Sequence, residues 1–331
     1  MSLAHLSAVY LPAIEAELKR ALGSSPEHLR EYYAMMEYHL GWDAPQAVSG
    51  KRLRPLLCLL TCAASGGEWE RALPMGAAIE LLHNFSLIHD DIQDNSPLRR
   101  GRPTVWHKWG QAQAINAGDA MFTLAHLAPH ALTVSAEVAL KALEIFDRTC
   151  LTLTQGQYLD MAFETRARVT VAEYLAMIEG KTAALVAASA ELGALLAGAD
   201  SERRVHYQQF GRCLGLAFQI EDDLLGIWGD PAVTGKSAAS DLEKRKKSLP
   251  VVYGLEQSAE FAQAYARPHT PDESLSEMVM TLERLGAHES ANQLAYDLTA
   301  RASQHLDEAA PSGEAGHALR ELTDQLLNRQ Q

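Results

Sequence analysis

Cysteine is scarce in this chain, with four in 331 residues. None of Cys58, Cys62, Cys150 and Cys213 forms a C-x-x-C pair, so the common zinc and thioredoxin-like signatures are absent. Free cysteine is among the most buried residue types. Cys58 and Cys62, four apart, are therefore expected in the core, and the setting is expected to be reducing and cytoplasmic. Positive charge is also short: 29 Lys and Arg stand against 42 Asp and Glu, a net −13. Nucleic acid needs a basic footprint, so it is not an expected partner, and an anionic ligand has to be met by local cations or metal ions. Met1 to Tyr10 lacks a basic stretch followed by an apolar run, so no signal peptide is read there. The segment Thr182 to Ala199 approaches membrane-spanning length but is mostly Ala and carries Glu191 near its middle. It reads as a buried helix that lets its neighbours approach closely. Gly235-Lys236-Ser237 is not a P-loop, because Asp230 stands where that motif requires glycine. No Ser-His-Asp or Cys-His constellation is identified.

Strand signals are nearly absent too, since alternating Val/Ile/Thr runs closed by Asn-Gly or Asp-Gly do not occur. Helix dominates instead. From Gly76 to Asp94, apolar Ala77, Ala78, Leu81, Leu82, Phe85 and Ile88 recur at three- and four-residue steps. Ala and Leu fill 112–128, 136–163, 171–199 and 205–228, all favouring helix. Breakers fall at Gly66-Gly67, Asn95-Ser96-Pro97, Arg102-Pro103, Gly229-Asp230-Pro231 and Pro268 to Pro271. No composition shift marks a boundary, so one all-α domain over 1–331 is expected.

Two acidic clusters carry the chemistry. His89-Asp90-Asp91-Ile92-Gln93-Asp94 ends an apolar helix, and Asp90, Asp91 and Asp94 project from one face at three- and four-residue spacings. A solvated acidic helix end is the plain alternative. Yet carboxylates at a helix C-terminus oppose the dipole, and a divalent cation held by hard oxygen ligands resolves the repulsion. Phe218-Gln219-Ile220-Glu221-Asp222-Asp223 repeats the arrangement at the end of a second apolar helix. Two such sites facing each other across a bundle suit several Mg²⁺ ions and one diphosphate. Cations accompany each cluster: Lys51, Arg52 and Arg54, then Arg99-Arg100, then Lys236 and Lys244 to Lys247. Arg binds phosphate oxygens bidentately. His126 and His130, four apart with Pro129 between and no acidic partner in the segment, read as structural.

In order along the chain stand GKRLRP (Gly50 to Pro55), HNFSLIHDDIQD (His83 to Asp94), RRGRP (Arg99 to Pro103), Gly156-Gln157, Lys181-Thr182, FQIEDD (Phe218 to Asp223), Gly235-Lys236 and SDLEKRKKSLP (Ser240 to Pro250). This set resembles the trans-isoprenyl diphosphate synthases, or polyprenyl synthetases, over about Gly50 to Pro250, with short-chain, geranylgeranyl diphosphate synthase-like character. The resemblance implies an all-α bundle of the isoprenoid synthase type with a central substrate cavity. It implies a cytoplasmic, homodimeric prenyltransferase that joins isopentenyl diphosphate to allylic diphosphates, with three Mg²⁺ ions per active site.

The resemblance also implies roles. Asp90, Asp94 and Asp222 would bind the metals, with Asp91 and Asp223 supporting. Lys51, Arg54, His83 and Arg100 would hold isopentenyl diphosphate. Arg99, Lys181, Lys236 and Lys246 would grip the allylic diphosphate, Lys246 competing with Lys247 for that place. Thr182 and Gln219 would face the developing allylic cation. Phe85 and Ser86, one turn before Asp90, would floor the chain cavity, and one aromatic followed by one small residue points to a twenty-carbon product. Gly226 departs from the pattern, standing where many members have a third aspartate. Farnesyl or longer products, a class I terpene cyclase and a non-catalytic synthase subunit are the alternatives. Lys51, Arg54 and Arg100 argue against the cyclase, and the largely intact acidic sites argue against the subunit.

Overall fold

Helix α4 (Leu73–Gln93) is buried along most of its length, and in the computed structural model it packs against α1 (Leu3–Leu22), α3 (Leu53–Ala64) and α6 (Gln111–Leu127). The structure describes residues 2–43, 50–230, 239–266 and 273–327. Two compact units emerge. The first comprises 1–146, 189–204 and 311–319, and the second 147–188, 205–310 and 320–331. Among the described residues both are all-α, apart from one short hairpin in the first.

In the first unit, α6 reaches α4 at Gly118, where a Cβ would fall on the ring of His89. Helix α2 (Arg30–Leu40) and α5 (Val105–Trp109) complete a core of Met35, Met36, Leu40, Ile88, Val105 and Met121. Residues 189–204 join through Gly193, whose Cβ would stand 3.0 Å from the Cys62 backbone nitrogen. Ser312 donates its backbone N–H to the carbonyl of Ala64 at 2.9 Å, satisfying one of the carbonyls that α3 leaves open at its end.

The expected loop at Arg99 to Pro103 contains the hairpin. Strands β1 (Leu98–Arg99) and β2 (Arg102–Pro103) pair antiparallel. Arg100 and Gly101 between them take φ of 51° and 73°, as a two-residue type I′ turn requires.

The second unit contains most of α7 (Ala136–Thr165), α8 (Val171–Ile178) and most of α10 (Ser201–Trp228). Helix α8 opens on a capping box between Thr170 and Glu173, which satisfies two orphan donors reciprocally. It continues into a π-turn over Glu179–Ala183 and then α9 (Ala184–Leu196). Close approach depends on missing side chains. A Cβ on Gly211 or Gly215 would lie 2.7 Å from the Cα of Ala187 or Ala183. The expected Ala-rich buried helix is thus realised, with a π-turn at its start. Further on, α11 (Ser240–Glu243), α12 (Leu249–Gln257), α13 (Ala259–Ala266), α14 (Glu273–Arg284) and α15 (Ala287–Glu308) enclose Leu242, Val251, Phe261, Leu282 and Ala287. Helix α16 is Gly313–Leu327. All four cysteines are free and buried. Among the described residues no helix is long and apolar enough to cross a membrane.

One buried charge joins three elements of the first unit. Arg52 is 3% exposed. It donates to Glu80 on α4 at 2.9 Å, to Glu15 on α1 at 2.7 Å and to the carbonyl of Leu40, the last residue of α2, at 2.9 Å. Burial pulls its pKa down, but Glu80 and Glu15 outweigh this and raise it. Removing one member of a buried pair strands the other charge. Arg52→Met is expected to lower unfolding free energy by about 3–5 kcal/mol, read from denaturant melts, whereas the exposed Arg71–Glu68 pair is worth under about 1 kcal/mol.

Candidate active site

Asp90, Asp91 and Asp94 occupy the last turn and C-cap of α4, and the structure separates their roles. Asp91 is 2% exposed. Both its oxygens accept from Arg99 Nε, at 2.9 and 3.0 Å, and Arg99 Nη2 stands 2.8 Å away. Burial pushes its pKa up, and Arg99 opposes the shift. Asp90 is partly accessible and Asp94 exposed. The pair one turn apart is thus open to solvent, while Asp91 anchors the hairpin that carries Arg99 and Arg100.

The hairpin brings the second basic segment to the first. The Arg100 guanidinium lies over Gly50, where a Cβ would stand 2.7 Å from Nη2. Lys51 follows and is exposed. Arg54 Nη1 lies 3.2 Å from His83 Nε2, and Arg54 Nε is buried without a hydrogen-bond partner. An orphaned buried guanidinium nitrogen is costly unless an acceptor arrives. The nearby imidazoles report a positive potential. His83 is driven well below the ordinary imidazole range by burial and by Arg54, Arg100 and Arg99. His39, which sequence reasoning did not single out, is lowered to about 3 by burial and by Arg99, Arg100 and Arg52. The sequence holds no signal for His39, an isolated histidine in the last turn of α2. A cleft lined by Tyr38, His39, Asp91, Arg99, Arg100 and Arg102 opens here.

Phe85 and Ser86 lie one turn before Asp90. Ser86 Oγ donates to the carbonyl of His83 at 2.8 Å and is half-buried. Phe85 packs at a tilt against Phe122 of α6 (centroids 4.9 Å), Phe122 likewise against His126 (4.4 Å), and His126 meets Phe146 edge to face (5.3 Å). His126 Nδ1 is 2.8 Å from the carbonyl of Phe122. Phe85 is therefore one end of an aromatic ladder.

In the second unit, Asp222 is partly accessible near the end of α10, whereas Asp223 is 1% exposed. Asp223 accepts from the Tyr174 hydroxyl, from Gln219 Nε2 at 3.2 Å and from the Leu249 N–H at 2.9 Å. Burial raises its pKa to about 6, against the lowering by Lys246 and these donors. Gln219 Oε1 accepts from Thr182 Oγ1 at 2.9 Å, so Thr182, Gln219 and Asp223 form one chain of bonds. Lys181, in the π-turn, pairs with Asp160 of α7. A π-turn inside a helix often marks a functional site. Burial lowers the Lys246 ammonium, but Asp223, Asp241, Asp160 and Asp222 outweigh this and raise it. Lys247 instead donates to the carbonyls of Phe163 and Arg166. Of the two lysines, Lys246 is the one in the acidic field. Lys236 lies outside the described residues.

Gly226 has a physical explanation. A Cβ there would lie 2.6 Å from the carboxyl carbon of Asp241. A carboxylate from α11 already fills the space a longer residue would need, close to Asp222 and Asp223. Gly226→Ala is expected to cost about 1–3 kcal/mol, the range for overpacking. In an Asp241→Ala background the same change is expected to cost clearly less. A double-mutant cycle of thermal melts measures the coupling, and strict additivity would contradict it.

The model for the family described as polyprenyl synthetase matches residues 34–282. The chain is 44% identical over 285 residues to a geranylgeranyl diphosphate synthase of Mycobacterium tuberculosis, covering 80% of this chain and 81% of that protein. It is 48% identical over 230 residues to a (2E,6E)-farnesyl diphosphate synthase of Mycobacterium bovis, covering 66% and 62%. A crystal structure of a polyprenyl synthase from Caulobacter crescentus, in complex with calcium and isoprenyl diphosphate, matches with a TM-score of 0.84 at 29% identity, over 99% of this chain and 97% of that one. With a family match across most of its length, and with the cations and carboxylates of its motifs placed as described, this chain belongs to the polyprenyl synthetase family.

Proposed function

We propose that the protein is a cytoplasmic, homodimeric, Mg²⁺-dependent prenyltransferase folded as one domain, which condenses isopentenyl diphosphate with allylic diphosphates to all-trans geranylgeranyl diphosphate. The observation that carries the reading is the basic cluster of Arg54, Arg99 and Arg100, with the buried Nε of Arg54 lacking an acceptor, beside the open Asp90–Asp94 pair. An acidic chain concentrates cations in this way where an anion has to be held. Asp90, Asp94 and Asp222 supply the hard oxygen donors that Mg²⁺ takes, and the calcium and isoprenyl diphosphate bound by the Caulobacter relative support a divalent-ion site. Bound by these residues, three Mg²⁺ ions per active site would neutralise diphosphate charge as the allylic C–O bond breaks.

The chain's own groups do the rest. Lys51, Arg54, His83 and Arg100 hold isopentenyl diphosphate. Arg99, Lys181, Lys236 and Lys246 hold the allylic diphosphate, and Lys246 stays protonated because of its acidic neighbours. The oxygens of Thr182 and Gln219, fixed by their mutual bond, stabilise the allylic carbon as positive charge develops. The double bond of isopentenyl diphosphate attacks that carbon, and the proton lost in forming the new double bond leaves with the released diphosphate. Exposed Leu140, Leu151 and Tyr158, spaced to share one face of α7, support dimer formation.

Purified protein given Mg²⁺, isopentenyl diphosphate and each allylic primer in turn is expected to yield a twenty-carbon diphosphate by mass spectrometry. EDTA is expected to abolish the reaction and excess Mg²⁺ to restore it. Asp90→Asn and Asp222→Asn are each expected to lower kcat by roughly 10²–10³, as for loss of one group that stabilises transition-state charge. Absence of elongation from folded protein with every primer would refute the reading. Ser86→Phe is expected to shorten the main product to fifteen carbons, and an unchanged profile in that variant would discard Phe85 and Ser86 as the floor.

A further inference from the structure

Three possible metal ligands of the second unit converge away from the acidic motif of that unit. His206 lies on α10, and His305 and Glu308 lie three residues apart at the end of α15. The two Nδ1 atoms are 3.3 Å apart, and Glu308 Oε2 stands 3.0 Å from His206 Nδ1 and 3.3 Å from His305 Nδ1. For Zn–N distances of about 2.0–2.1 Å, the edge of a ligand tetrahedron is about 3.3–3.4 Å. These three atoms therefore form a triangle close in size to one face of a tetrahedral zinc site. Gln304 Nε2 donates to Glu308 Oε1 at 2.9 Å, occupying the other carboxylate oxygen and aiming Oε2 at the imidazoles, the kind of outer support that orients metal ligands. The side chains are 24%, 24% and 39% exposed, which gives an ion access and leaves a fourth position for water. His206 is 16 residues before Asp222 on the same helix, about 24 Å along its axis.

We propose that His206, His305 and Glu308 form a binding site for a divalent transition ion of the zinc class, which ties the end of α15 to α10 and is separate from the carboxylate sites for Mg²⁺. Two imidazoles and one carboxylate are the ligand chemistry of zinc and its neighbours, whereas the Mg²⁺ candidates are all-oxygen. The ion adds no bond-making step. It takes one lone pair from each Nδ1 and one from Oε2, and any proton on an Nδ1 is released to solvent. The competing arrangement is a metal-free one, in which both Nδ1–H groups donate to Glu308 Oε2 and the cluster ignores zinc.

The test uses the full chain, stripped of metal with EDTA and then titrated with Co²⁺ as a spectroscopic substitute for zinc. One equivalent is expected to give the visible absorption of a tetrahedral nitrogen-oxygen site. The same signal is expected in Asp90→Asn and Asp222→Asn, where the other carboxylate sites are weakened. It is expected to vanish in His206→Gln and His305→Gln, with Zn²⁺ affinity by calorimetry falling more than about tenfold, the lower bound for disturbing even an outer-shell partner. A Zn²⁺-dependent rise in melting temperature is expected to disappear in the same variants, and their circular dichroism spectra check that they fold. Prenyl transfer with Mg²⁺ is expected to be unchanged in them, since neither histidine belongs to that machinery. No tetrahedral signal in the parent protein, or one that persists in both histidine variants, would overturn the proposal in favour of the metal-free cluster.

Discussion

The first unit is organised by a charge that never reaches solvent. Arg52 adopts φ of 49°, a left-handed conformation that non-glycine residues take only under constraint. Its guanidinium meets Glu80, Glu15 and the carbonyl of Leu40. Desolvating such a pair is expensive, and apolar replacements of similar shape are often no less stable. Its physical consequence is therefore placement. With position 52 turned inward, Lys51 remains exposed and Arg54 reaches His83. Three basic residues within four positions thus go to three environments.

The same separation of roles governs the carboxylates. Each motif contributes one buried acid satisfied by the protein and others left accessible. Asp91 is paired with Arg99, and Asp223 accepts hydrogen bonds from a tyrosine hydroxyl, a side-chain amide and a backbone N–H. A buried carboxylate with fixed partners holds its neighbours still, and so is suited to support an open one. The basic cluster follows the complementary rule. Burial, and the arginines with it, push His39 and His83 below the ordinary imidazole range, which favours their uncharged forms and limits repulsion among the cations. A chain of net charge −13 can then present a local positive field toward an anion.

Much of this was legible in the sequence, because helical periodicity and motif order depend on residues close together in the chain. Asp90 and Asp94, four apart on a periodic apolar helix, needed no tertiary information. Arg99 and Asp91 are eight apart, and their meeting depends on the Arg100-Gly101 turn, whose two positive φ values are not implied by a loop signal alone. Tyr174 and Asp223 are 49 residues apart, and nothing local marks either as the other's partner. The π-turn at Lys181 is also unmarked, since the helical pattern runs through it. Gly226 shows the limit most clearly. In one dimension it is a missing carboxylate, and in three the space beside it is occupied by the carboxylate of Asp241.

Phe85 belongs to an assembly larger than its own helix. Phe85 is held by Phe122, which is held by His126, itself against Phe146 and bonded to the carbonyl of Phe122. Rings in tilted and edge-to-face contact at 4.4 to 5.3 Å resist independent rotation, because moving one opens a void beside the next and forfeits dispersion contacts on both sides. Ser86 lies outside this ladder, its hydroxyl turned to its own helix. A larger side chain there can add bulk without dismantling a ring contact, whereas a smaller one at Phe85 would release Phe122 as well. The two positions are thus not equivalent: Ser86 is bonded to its own helix, and Phe85 is part of the ladder.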